Sequence, residues 1–135
     1  MTMHRVIDHT AVLPGTAQLL TVSARCWRGA RDCGVPVQPR LHAMLGEHGC
    51  GMLAPVIDSL MTLYQVALGR AMVVGAGTDV SRDERELIGL IERDRPRSAC
   101  MDCTEGAGHA LDCAICCTRI MIALSLRTPI AGALQ

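Results

Sequence analysis

Apolar residues recur along this chain at helical spacing, and five stretches carry the pattern. In the first, Leu19, Ser23, Cys26, Ala30 and Cys33 repeat every three or four residues, with Leu20, Ala24 and Trp27 beside them. This predicts a helix over about 17–33, with Thr16 as N-cap and Gly34 as a C-terminal stop. A short second helix, about 39–47, uses Leu41, Met44 and Leu45 after Pro36 and Pro39. The third, about 54–69, has the broadest apolar face: Leu53, Val56, Ile57, Leu60, Tyr64, Ala67 and Leu68, with Pro55 in its first turn. Ser81 and Glu84 form a capping box that starts a fourth helix of about 82–94. The last helix, about 111–126, carries Leu111, Ile115, Ile120, Met121, Ile122 and Leu124, and Pro129 ends it.

Between the third and fourth helices, Ala71-Met72-Val73-Val74 is too short for a helix and reads as a buried extended segment. Residues 95–109 read as a loop. The expected architecture is therefore all-α: an N-terminal arm over 1–15, then one compact domain of about five helices over 16–135. A cysteine-rich segment spans 100–117.

Composition sharpens this picture. The chain has 135 residues, the usual size of one domain, and half of them are hydrophobic. One Trp, one Tyr and no Phe leave the core to Leu, Ile, Val, Met, Ala and Cys. Such small and flexible side chains suit close helix packing rather than a β-sandwich. Thirteen basic and thirteen acidic residues cancel, so total charge does nothing to attract nucleic acid, and stacking aromatics are almost absent. The N-terminal sequence lacks the apolar run of a secretion signal, and Asp112 and Arg119 interrupt the longest apolar stretch. The expectation is a cytoplasmic protein that neither spans a membrane nor binds nucleic acid. Eight cysteines in a reducing compartment then point to metal ligands, reactive thiols or small core residues.

The sharpest chemical signal is Cys100-Met-Asp-Cys103 followed by Cys113-Ala-Ile-Cys116-Cys117. Two C-x-x-C pairs supply four thiolates, the donor set of a structural Zn2+. Two intervening residues let a tight turn aim both sulfurs at one ion. With Asp112 as N-cap, the second pair would sit in the first helical turn, where the dipole favours thiolate. Gly106 and Gly108 would fold the connector back, and Cys117 or His109 are substitute ligands. The competing account makes Cys113, Cys116 and Cys117 small residues of a buried face. A third gives them to soft-metal chemistry, Cu(I) or an iron–sulfur cluster, with Met101 or Met121 assisting.

Other sets are weaker. Arg25, Arg28 and Arg31 share one helix face, extended by Arg40, and offer a contact for a protein partner or simply a solvated surface. His42, Glu47, His48 and Cys50 lie close in sequence without a metal-binding spacing, and His4, Asp8 and His9 sit on the arm. No serine lies in a nucleophile-elbow sequence.

The helix bearing Trp27 and its arginines, the helix around Leu53 to Leu68, the short apolar segment and the turn from Thr78 to Glu84 together resemble a family of small, uncharacterised all-helical bacterial proteins. The resemblance covers about residues 17–94. It implies an all-helical fold and brings no activity with it.

The functional expectation is a non-enzymatic accessory or regulatory module. It would be pinned by a thiolate zinc site at Cys100, Cys103, Cys113 and Cys116, and would bind a protein partner or form a homo-oligomer. The alternatives are a thiol-based redox or soft-metal sensor, and a small enzyme built around the histidines.

Overall fold

The computed structural model describes residues 15–92, 97 and 103–133, with side chains to Leu126. Among the described residues, five α-helices make up an all-α bundle: α1 (Thr16–Cys33), α2 (Val37–Gly46), α3 (Ala54–Leu68), α4 (Arg82–Glu92) and α5 (Glu105–Ala133). A 3-10 turn, Gly51–Leu53, leads into α3.

The boundaries follow local chemistry. Gly34 and Gly69 close α1 and α3 in the left-handed region, at φ 69° and 73°. Gly15, not Thr16, is the N-cap of α1, and Thr16 is its first residue. The second helix begins at Val37 behind Pro36, two residues earlier than expected. At α4 the capping box forms: the Glu84 N–H donates to Ser81 Oγ at 3.0 Å, and the Ser81 N–H returns to Glu84 Oε1 at 2.8 Å.

The last helix departs from expectation. It starts at Glu105, not 111, because Thr104 caps it: its Oγ1 accepts the Ala107 N–H at 3.3 Å. It also runs past Pro129 to Ala133. Gly106 and Gly108 are helical residues here, not a flexible connector.

α3 lies at the centre, and its contact with α5 is the most extensive between any two elements. Ile57, Leu60, Met61 and Tyr64 of α3 are fully buried against Leu19, Leu20, Trp27, Leu41, Leu45, Leu87 and Leu111. The two aromatics anchor this core, and each satisfies its polar atom. Trp27 Nε1–H donates to Asp58 Oδ1 at 2.9 Å, and the Tyr64 hydroxyl donates to the Glu86 carboxylate.

The segment between α3 and α4 has no regular structure apart from an Ala76–Asp79 bridge, and five side chains tie it down. Arg70 grips Asp83 with both terminal nitrogens, at 2.7 and 2.8 Å. Asp83 also accepts the Val73 N–H, Gln65 accepts the Met72 N–H, and Ser81 Oγ donates to the Val73 carbonyl. Arg25, reaching from α1, donates to both Glu84 oxygens and to the carbonyls of Gly77 and Asp79. The turn approaches itself so closely at Gly75 that a Cβ there would stand 1.9 Å from the Asp79 carbonyl oxygen.

Candidate functional site

Of the four cysteines expected to form a metal centre, Cys103, Cys113 and Cys116 are among the described residues. Cys100 lies outside the described residues. Cys103 sits one residue before the cap of α5, half-buried, where its Sγ accepts from Arg97 Nη1 at 3.3 Å. The same guanidinium pairs with Asp112 at 3.0 Å and lies across the face of Gly108. Asp112 is therefore an ion-pair partner inside the helix, not an N-cap. Arg97 thus bridges the Cys103 sulfur to Asp112, the neighbour of Cys113 in sequence. A tetrathiolate ion with metal–sulfur bonds of about 2.3 Å needs its sulfurs within about 4 Å of one another. Among the described residues, no three His, Cys, Asp or Glu side chains cluster as a metal site. His109 is exposed.

Cys113, Cys116 and Cys117 are not core residues either: all three are exposed, two or more turns into α5. The first-turn dipole expected to activate them does not reach so far. What they share is a surface. Cys113 and Cys117 line an open groove of about 370 Å³ between α3 and α5, together with Pro55, Val56, Leu63 and Ala114. Beyond them, Ile120 and Leu124 are each 55% exposed. Asp112 and Arg119 keep this helix polar at its edges, and the Arg119 guanidinium donates to the Leu90 and Ile91 carbonyls.

The remaining thiols are placed differently. Cys50 is buried and donates to the His48 carbonyl, and burial pushes its pKa up. Burial also raises Cys26, against the opposing pull of Arg40. Burial thus favours the protonated thiol at both positions. His4, Asp8 and His9 lie outside the described residues.

The arginine stripe divides. Arg25 spends its guanidinium on Glu84 and the 77–79 turn, and Arg28 pairs with Asp32 and Gln65. Arg31 remains exposed, stacked 5.1 Å over the Trp27 ring. Arg40, the extension of the stripe, is exposed as well. Burial pushes Glu84 up, but hydrogen bonds from Arg25 and from the Ser81 and Gly75 N–H groups outweigh it, and the net shift is downward. The Arg70 contact lowers Asp83, with help from the Val73 N–H. These carboxylates are held ionised.

By length and composition, two stretches are apolar enough to cross a membrane, Gly51–Leu68 and Glu105–Leu126. The first includes the most buried positions of the bundle. Comparison with family models, curated proteins and solved structures returns no match.

Proposed function

We propose that this protein is a non-catalytic accessory module that works by binding another protein chain through the thiol-bearing face of α5. One observation carries the reading. Cys113, Cys117, Ile120 and Leu124 stand exposed on one face of the helix that contributes most to the core with α3. A domain with no partner for that face would gain by placing polar residues there.

Two features support the non-catalytic part. The buried carboxylates, Asp83 and Glu84, are fixed in ion pairs and pushed away from the near-neutral pKa that general acid–base chemistry uses. Both also hold a turn in place, a structural task. Asp112 and Arg119 within α5 favour a protein partner over a lipid one, since each costs about 2.5–3.5 kcal/mol at the centre of a bilayer. A reducing, cytoplasmic setting agrees with the described cysteines, all of which are free.

The test places a photo-crosslinking residue at position 120 in cells that make the protein, with a second at the exposed position Glu47 as control. Protein adducts from position 120 and not from 47 are expected. Lipid adducts alone, or none from a folded chain, would overturn the proposal.

A further inference from the structure

The face of α5 has a pattern that names its occupant. Gly106, Ala110, Cys113, Cys117, Ile120 and Leu124 follow one another at alternating intervals of four and three. This is the a/d spacing of a coiled-coil seam. Gly106, Cys113, Cys117, Ile120 and Leu124 are exposed, and Ala110 is half-buried beside the groove. The seam is also symmetric in position. About its midpoint at residue 115, Cys113 mirrors Cys117, Ala110 mirrors Ile120 and Gly106 mirrors Leu124.

Size follows that symmetry. The N-terminal half of the seam is small, and a Cβ added at Gly106 would meet nothing within 4 Å. The C-terminal half is large. Laid antiparallel on a second copy, Leu124 falls into the slot over Gly106 of the partner subunit, and Ile120 onto Ala110 of the partner subunit. A parallel pairing would set small against small and leave holes. Antiparallel helices also oppose their dipoles favourably.

We infer that α5 pairs antiparallel with a second copy of this chain about a two-fold axis at residue 115, and that Cys113 and Cys117 of both copies bind one thiophilic divalent cation of the Zn2+ type between them. The inference rests on the docking face proposed above and identifies what docks there. Each chain supplies two sulfurs, one helical turn apart on the same face; the axis supplies the other two, giving the four thiolates of a closed tetrahedral site. Each thiol loses its proton to solvent as its metal–sulfur bond forms, so four protons leave per ion bound. From Gly106 to Leu124 the seam is about 27 Å long. That is shorter than the three or four heptads a coiled coil sustains on packing alone, so the pairing depends on the metal.

The experiment uses the full chain, stripped of metal with a chelator and kept in a phosphine reductant. Mass by light scattering and bound metal by elemental analysis are followed as Zn2+ is added. The expected result is a monomer without zinc and a dimer with one zinc per two chains. Cys113→Ser and Cys117→Ser should each weaken zinc retention more than about tenfold, while Cys33→Ser and Cys103→Ser leave it unchanged. Gly106→Leu fills the slot from a position whose Cβ meets open space in the monomer, and should weaken the zinc dimer with the helical circular dichroism intact. A monomer at excess zinc, one zinc per chain, a dimer in the absence of zinc, or a zinc dimer indifferent to Cys117→Ser or Gly106→Leu would each overturn it. Protein adducts from position 120 to a different chain, with no zinc dimer, would remove this inference and leave the docking face standing.

Discussion

Glu84 shows how much a single side chain does here. It closes the capping box of α4 and accepts both arms of Arg25 from a helix 59 residues away in sequence. The capping box was legible in the sequence, because Ser and Glu three apart before an apolar run is a local signal. The Arg25 partnership was not: its face looked solvated, and only the fold brings residues 25 and 84 together. Glu84→Gln keeps the shape and removes the charge that Arg25 and two N–H groups stabilise. It should cost about 2 kcal/mol in urea unfolding at pH 7. Both Asp83 and Glu84 have folded pKa values below their ordinary 3.8 and 4.5. The unfolded chain therefore binds more protons as pH falls, and stability present above about pH 5 drains away below it. The gap between wild type and Glu84→Gln should shrink in the same range. A gap independent of pH would show that the charge is not what matters. At Gly75, where the Asp79 carbonyl leaves no room for a Cβ, Gly75→Ala should destabilise the fold by about 2 kcal/mol.

Among the elements, four helices were legible to within about two residues at the ends their periodicity and glycine stops define. α5 was not, and the reason is Gly106 and Gly108. Each lowers helix propensity by about 1 kcal/mol, which makes 105–109 look like a loop. The structure outweighs that with a Thr104 cap and with Arg97, which lies over Gly108 and reaches Asp112. The two glycines should then respond oppositely to alanine. In the zinc-free chain, Gly106→Ala meets open space and should raise the urea midpoint by up to about 1 kcal/mol equivalent. Gly108→Ala must push Arg97 aside, with its bonds to Asp112 and Cys103, and should gain little or lose. Equal gains at both positions would mean that Arg97 contributes nothing to starting the helix.

On the scale of the whole molecule, the central question is which way the cysteines of α5 face. A 3.6-residue period states that one face is apolar but not which of two neighbours covers it, so the sequence leaves Cys113, Cys116 and Cys117 open between small core residues, free thiols and metal ligands. The fold separates core from surface, because α3 already occupies the Leu111, Ile115 and Ile122 face of the same helix and Cys113 and Cys117 stand exposed. Reactivity should follow that division. In native protein without metal, a thiol reagent should modify Cys33, Cys113, Cys116 and Cys117 quickly, Cys26 slowly and Cys50 only on unfolding, as its burial and raised pKa require. Zinc should then slow Cys113 and Cys117 alone, leaving Cys33 as an internal clock, with modified sites read by mass spectrometry. Fast reaction at Cys50, or slow reaction at Cys113 before any metal is added, would mean that the helix turns another face to solvent. Zinc protection at Cys103 would instead return the ion to the loop that the sequence first suggested.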